Sequence, residues 1–174
     1  MSVIYYVLLI AIFFMRKLKW CFALAGGLFI LDQILKNWAG YVLAGGPNFF
    51  ILGHFFSLEF YRNYGIAFGI PLPALSSDGA GPAVFFYSIA ALLCVFLYYW
   101  GRKFLQRKDF SSLCGLVLLG AGAFSNALDR LRFGYVIDYL NLAFWPVFNV
   151  ADIMIVAGVV ILLVKAMRKQ HNEK

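Results

Sequence analysis

The chain has 174 residues, of which 63% are hydrophobic and only 13% are charged, and its mean hydropathy is +0.82. This composition excludes an ordinary soluble domain, because several stretches reach the roughly 20 apolar residues that a helix needs to cross a bilayer. The length favours one domain. We therefore expect a single polytopic membrane protein.

The net charge of +7 does not indicate a nucleic-acid partner, because the basic residues are grouped by position along the chain. Eleven of the fifteen Lys and Arg lie in three short segments, at 16–19, 102–108 and 165–174. Four spans that follow the first segment place all three segments on the cytoplasmic side, as the positive-inside rule expects. Four exceptions fall at or near the opposite face and need local partners: Lys36, Arg62, Arg130 and Arg132.

The first 14 residues are apolar but short for a span, and their positive charges follow the apolar run, unlike those of a signal peptide. We interpret residues 1–14 as an upstream extension of the reading frame or an interfacial segment, and residues 15–174 as one four-span domain. The first span is predicted at 19–43. It contains Asp32 and Lys36 at i, i+4, with the acid first, which favours a structural ion pair over a substrate contact.

A long outer segment follows the first span. Glycine, proline and asparagine at 45–48 and Gly53 interrupt any helix there, and the alternation of apolar and polar residues over 56–60 predicts a strand. We expect a small sheet on the outer membrane surface. Asn63 lies at its exit, where a turn is the simplest role for an asparagine beside Gly65.

Three further spans are predicted at 82–100, 110–128 and 147–164. A basic turn connects the second and third spans, and an outer loop to about residue 146 connects the third and fourth. The expected fold is therefore an all-α membrane protein with four transmembrane helices and a small extracytoplasmic β-sheet platform. Both termini would be cytoplasmic.

Polar residues collect at the outer end of the third span. Asn126 and Arg130 are spaced i, i+4, so both side chains can point into one cavity. Asp129 projects to a different face of the same helix.

Two further carboxylates, Asp138 and Asp152, can approach each other at the outer membrane edge, and Asn149 precedes the second by one helical turn. Two buried carboxylates held close share a proton, so that one acts as an acid and the other as a base. Hydrolysis of a peptide bond requires an acid and a base, which such a pair can supply. From spacing alone, a proton-coupled transporter that uses the same carboxylates is nearly as good an interpretation. A non-catalytic membrane scaffold is a third possible class of function.

The sequence offers no other hydrolytic or metal chemistry. It has no Gly-x-Ser-x-Gly elbow, catalytic Cys/His arrangement or zinc-binding His pair. The three cysteines lie in apolar runs without paired spacing, and the two histidines have no metal-ligand pattern. We predict no cofactor and no metal.

Four motifs in order resemble the lipoprotein signal peptidases, also called signal peptidase II. They are "DQILK" (32–36), "RNYGIAF" (62–68), "GAFSNALDRLRFGYVIDY" (122–139) and "FNVAD" (148–152). The resemblance covers the chain from about Met15 to the basic tail, and four motifs across four spans form a specific signature.

This resemblance implies a four-span aspartyl protease of the bacterial inner membrane, with its active site at the periplasmic side. Such enzymes cut the signal peptide from diacylglyceryl-modified prolipoproteins just before the lipidated cysteine. The resemblance implies that Asp138 and Asp152 are catalytic and that Asp129 is not. It assigns the groove for the substrate, and for globomycin-type inhibitors, to Asn63, Asn126, Arg130 and Asn149.

The implied partners are a lipidated prolipoprotein and membrane lipids, and the expected state is a monomer. Asp32 and Lys36 match a structural polar pair at the end of the first span. The chain departs from the family pattern at Ala121 and Ser125, where glycine is usual. These changes bear on the shape of the groove more than on the chemistry.

Overall fold

The computed structural model describes residues 3–53, 55–65 and 81–172, and the side chains within 15–53, 55–65 and 85–171. These residues form four long helices and four strands. The helices are α1 (Val3–Val42), α2 (Gly81–Gln106), α3 (Phe110–Phe133) and α4 (Val150–Asn172). Each helix contains an apolar stretch of 22 to 28 residues, long enough to cross a membrane. The four predicted spans are thereby confirmed.

Every helix extends beyond its predicted span at one end or both, and two of these differences bear on the domain limits and the site. α1 begins at Val3 and runs without a break through the basic segment, so residue 14 is not a helix boundary. The division of the chain at that residue stays a prediction. α3 continues beyond the predicted residue 128 to Phe133, where Gly134 ends it in the left-handed conformation at φ 80°. Glycine adopts this conformation without a steric cost.

The four strands form one antiparallel sheet in chain order: β1 (Phe49–Leu52), β2 (Phe56–Asn63), β3 (Val136–Leu142) and β4 (Trp145–Phe148). The predicted strand at 56–60 is confirmed and extends to Asn63. The predicted loop between the third and fourth spans was wrong, because that segment forms the β3–β4 hairpin. Its run of Val, Ile, Tyr and Leu favours a strand, and β2 supplies the hydrogen-bonding partner, with Tyr61 opposite Asp138.

The end of α1 packs on the sheet through Ala39 and Leu43, which are buried against Ile137 and Tyr139 of β3. α3 and α4 pack closely through glycines. A Cβ atom at Gly158 would lie 2.5 Å from the carbonyl oxygen of Gly115, too near for any side chain. The sheet, the C-terminal ends of α1 and α3 and the N-terminal end of α4 therefore meet in one small volume.

The basic segments gather at the opposite end of the bundle. Lys17 of α1 lies 5.9 Å from the ring centre of Phe110, at the start of α3. Lys165 of α4 pairs with Asp109, the residue that caps α3, at 3.6 Å. The polar site and the basic segments are thus separated by the length of the helices.

Candidate active site

Asn149 joins the two aspartates of the predicted pair. It caps the N-terminus of α4: its Oδ1 accepts from the backbone N–H of Asp152 at 2.9 Å, and Asp152 Oδ2 accepts from the backbone N–H of Asn149 at 3.2 Å. This reciprocal pattern is a capping box. The Nδ2 of Asn149 also donates to Asp138 Oδ1 at 2.6 Å. One side chain therefore holds a carboxylate on β3 beside a carboxylate on α4.

Two more asparagines complete the contacts of the pair. Asn63, the last residue of β2, donates from Nδ2 to Asp138 Oδ2 at 2.8 Å. Asn126 of α3 donates from Nδ2 to Asp152 Oδ1 at 2.8 Å. Each of the four carboxylate oxygens thus accepts one N–H, and the elements that supply them are β2, α3 and the start of α4.

The two aspartates differ in their access to solvent. Asp138 is 1% exposed, whereas Asp152 is only half-buried. Burial, followed by repulsion from the Asp152 carboxylate, raises the pKa of Asp138 from 3.8 to about 7, although bonds from Asn63 and Asn149 act against the shift. A carboxyl group that keeps its proton near neutrality can act as an acid beside a partner open to water.

The polar pair of the first span lies directly behind the aspartates. Lys36 Nζ lies 2.9 Å from Asp32 Oδ2, so the predicted ion pair is present. The same nitrogen lies 3.0 Å from Asp129 Oδ2 and donates to Asn126 Oδ1 at 2.8 Å. Asp129, which was predicted to point elsewhere, therefore reaches the same lysine from α3. Its Oδ2 also accepts from the backbone N–H of Ile137 at 3.1 Å, which ties α3 to β3.

Asp32 fixes the start of α4 against α1. Its Oδ1 accepts from the backbone N–H of Ala151 and the hydroxyl of Tyr139, each at 3.1 Å. Ser125, at a position where the resembled family has glycine, donates to Asp32 Oδ2 at 2.7 Å. The departure at Ser125 thus adds a hydrogen bond between α1 and α3.

Arg130 contacts the chain that leaves the sheet. Its guanidinium donates to the carbonyl oxygen of Gly65 at 2.9 Å and stacks over the ring of Phe86 on α2, 4.6 Å from the ring centre. The second half of the motif at 62–68 lies outside the described residues. The other two basic exceptions also have local partners: Arg62 lies over the ring of Tyr135, and Arg132 donates to Gln33.

The structure brings all of the predicted site residues into one connected network. The three asparagines bond to Asp138 and Asp152, Lys36 bonds to Asn126, and Asp32 pairs with Lys36. Arg130 donates weakly to the backbone oxygen of Asn126 at 3.4 Å. Sequence reasoning missed three members of the network. They are Gln33 on α1, Ser125 on α3 and Tyr139 on β3. The signal available in the sequence was that each is a polar side chain directly next to a predicted site residue.

The network is fully hydrogen-bonded within the described part of the chain, where every buried side-chain nitrogen and oxygen has a partner. Among the same residues, no cluster of three or more His, Cys, Asp and Glu has an arrangement suited to a metal ion.

A family model described as signal peptidase (SPase) II matches residues 24–168 of the chain. These residues include both aspartates, all three asparagines and the ion pair behind them.

The relatives of the chain include three bacterial proteins that are named lipoprotein signal peptidase. The protein of Moorella thermoacetica is 38% identical over 132 residues, covering 76% of this chain and 82% of the relative. That of Psychromonas ingrahamii is 36% identical over 150 residues, covering 84% and 83%. That of Clostridium novyi is 31% identical over 145 residues, covering 80% and 92%.

The fold is also similar to solved structures. A bacterial membrane enzyme determined by the in meso method at 2.3 Å resolution has a TM-score of 0.74 and 25% sequence identity, with 90% of this chain and 92% of that chain covered. A second such structure, at 1.9 Å resolution, has a TM-score of 0.68. From its motifs, its fold and these matches, the chain belongs to the signal peptidase II family.

Proposed function

We propose that Asp138 and Asp152 are the catalytic pair with which this membrane protease removes signal peptides from prolipoproteins. The observation that supports the pair most directly is the contact of Asn149 with both carboxylates, at 2.6 Å through its side chain and 3.2 Å through its backbone. A proton-coupled transporter is not supported, because the chain belongs to a peptidase family.

In the proposed reaction, the ionised carboxylate of the pair takes a proton from a water molecule, whose oxygen attacks the carbonyl carbon of the scissile bond. The protonated carboxyl group gives its proton to the carbonyl oxygen. In the second step the first carboxyl group protonates the leaving amine, the second takes a proton back from a hydroxyl, and the C–N bond breaks. The pair returns to its starting state, and it titrates as a unit.

We propose that Asn63, Asn126, Asn149 and Arg130 line the groove for the substrate. The side-chain amide nitrogens of Asn63 and Asn126 each carry two N–H groups, and one of them is directed at an aspartate. The second can donate to a backbone carbonyl of an extended peptide. Arg130 would fix the chain at Gly65, which forms the wall of the groove.

The proposed substrate is a diacylglyceryl-modified prolipoprotein, cut before its lipidated cysteine. Each methylene of an acyl chain adds about 0.8 kcal/mol of membrane anchoring, so a substrate with two chains stays in the bilayer. The protease must then act at the membrane surface. A site at the outer ends of the helices meets this need. The proposed protein is a monomer of the inner membrane with both termini cytoplasmic. A globomycin-type inhibitor would compete with the substrate for the groove.

The test replaces each aspartate by asparagine. Asp138→Asn and Asp152→Asn should each give an inserted protein that cleaves a lipidated precursor about 10⁴-fold more slowly or not at all, because the hydrolysis loses its base or its acid. The measurement is the cleavage rate of a purified lipidated prolipoprotein in detergent or liposomes.

The matched control is Asp109→Asn. Asp109 also forms an ion pair and caps a helix, but it lies at the opposite end of the bundle, so this variant should keep its cleavage rate. Near-normal cleavage by either Asp138→Asn or Asp152→Asn would disprove the assignment of the pair.

A further inference from the structure

The ammonium group of Lys36 is buried, with the residue 1% exposed, and it has three close acceptors. Two are the carboxylates of Asp32 and Asp129, at 2.9 and 3.0 Å, and the third is the neutral amide oxygen of Asn126, at 2.8 Å. An ammonium has three N–H donors and no acceptor. Its hydrogen-bonding capacity is therefore used fully, and the shortest of the contacts goes to the uncharged partner.

This contact, together with a longer one from Asn149 Nδ2 to the same oxygen at 3.2 Å, determines which end of the Asn126 amide faces the catalytic pair. Because Lys36 can only donate, the group that faces it must be the amide oxygen of Asn126. The amide nitrogen then points the other way, to Asp152 Oδ1 at 2.8 Å. A rotated amide would place an oxygen against a carboxylate and an N–H against an ammonium, which is doubly unfavourable.

The side-chain amides of the other two asparagines are oriented in the same way, but a backbone N–H takes the place of the lysine. The N–H of Gly65 donates to Asn63 Oδ1 at 2.9 Å, and the N–H of Asp152 donates to Asn149 Oδ1 at 2.9 Å. In all three, a group that can only donate holds the oxygen, and the nitrogen is left to the catalytic pair. At Asn126 that group is a side chain, so a substitution can remove it.

We propose that Lys36 is a positioning residue for the cleavage reaction: through Asn126 it keeps an N–H donor on Asp152, and its charge stabilises the ionised member of the pair. The inference rests on the proposed catalytic role of Asp138 and Asp152. It goes beyond a structural ion pair, because an ion pair with Asp32 would be satisfied without the contact to Asn126.

The charge of Lys36 gives the proposal a signature in the pH profile. Burial and the Asp152 carboxylate raise the pKa of Asp138, whereas the positive charge of Lys36 lowers it. Removal of that charge would raise the pH at which the pair titrates. The charged or titratable side chains that face Lys36 or the groups it contacts are Asp32 on α1, Asp129 and Arg130 on α3, Asp138 and Tyr139 on β3, and Asp152 on α4.

The first test is Lys36→Met, which keeps the length of the side chain and removes the donors and the charge. We expect kcat for a lipidated precursor to fall about 100-fold, as for a misplaced catalytic group, with KM within about twofold of the original. The pH–rate profile should move to higher pH. A purely structural role would lower the amount of folded protein without moving the profile.

The matched control is Lys165→Met, the same substitution at a lysine that also pairs with an aspartate, Asp109, at the other end of the bundle. This variant should keep kcat and the pH profile unchanged.

The second test, Asn126→Asp, applies also if Lys36→Met does not fold. An aspartate at 126 keeps an oxygen against Lys36 and gains an ion pair with it, so the fold should be retained. It presents its second oxygen to Asp152 in place of an N–H, and kcat should again fall about 100-fold.

The outcomes separate this inference from the proposed function. If Asp138→Asn or Asp152→Asn cleaves normally, the catalytic pair itself is wrong. If those two variants are inactive, the pair stands. The role of Lys36 is then overturned by either of two results: Asn126→Asp keeps its kcat, or folded Lys36→Met keeps both its kcat and its pH profile. Loss of kcat in Asn126→Asp together with a shifted profile in Lys36→Met supports it.

Discussion

At the scale of single residues, the site depends on the direction of its amide groups. Asn63, Asn126 and Asn149 all present nitrogen to the two aspartates, and each carboxylate oxygen accepts one N–H. Such donors stabilise a carboxylate that would otherwise be costly to bury. The pair can therefore carry a negative charge and a proton together, which the proposed hydrolysis requires.

The pKa of Asp138 leads to a prediction about pH. Burial, and then the neighbouring Asp152 carboxylate, raises this pKa to about 7. A carboxyl group with a raised pKa keeps its proton at lower pH and loses it as the pH rises through that value. Activity that needs the shared proton should therefore decline above about pH 7, as measured by kcat/KM for a lipidated precursor between pH 5 and 9.

The control for this measurement is the folded state of the enzyme at each pH, followed by circular dichroism. A rate that stays constant to pH 9 would contradict a proton held by Asp138.

At the scale of secondary structure, the packing of α3 against α4 brings Asn126 beside Asp152. The two helices approach closely at glycines: a Cβ at Gly158 would lie 2.5 Å from the carbonyl oxygen of Gly115, and one at Gly122 would lie closer still to that of Ala151. Small residues allow such contact between membrane helices. The separation of the helices is thus set by backbone contact.

Gly158→Ala should therefore force the helices apart. We expect the free energy of unfolding to fall by about 1–3 kcal/mol, the usual cost of overpacking, with a lower thermal midpoint in detergent. The control is Gly27→Ala on α1, where an added Cβ meets no atom within 4 Å. An equal midpoint for the two variants would show that the glycine contact does not limit the packing.

At the scale of the whole molecule, the polar site and the three basic segments lie at opposite ends of one helix bundle. Contacts of Lys17 with Phe110 and of Lys165 with Asp109 bring the basic segments together. The sheet covers the other end and carries exposed apolar residues, among them Phe144. Basic residues favour the cytoplasmic side, so this arrangement supports a site on the opposite face.

The orientation can be tested with single cysteines in a variant that has Cys21, Cys94 and Cys114 replaced by alanine. Phe144 is 72% exposed and lies in the turn between β3 and β4, so Phe144→Cys should react with a membrane-impermeant maleimide in intact spheroplasts. Gln106→Cys, at the end of α2, should react only after the membrane is permeabilised. The reverse pattern would place the site in the cytoplasm.

The sequence by itself determined the membrane class, the four spans and the candidate residues. Long apolar runs and grouped basic residues depend only on local composition, and the lone Asp152 in an apolar span stands out for the same reason. The spacing of Asn126 and Arg130, or of Asn149 and Asp152, is also local, because one helical turn fixes which residues are neighbours.

Only the tertiary structure decided how these residues meet. The β3–β4 hairpin depends on pairing with β2, which lies more than 70 residues away in sequence, and no local pattern records a partner at that distance. The contacts of Lys36 with Asp129 and Asn126 join α1 to α3 in the same way. Hydrogen-bond direction needs both partners in place, so the orientation of the amides on the two aspartates could emerge only from the folded chain.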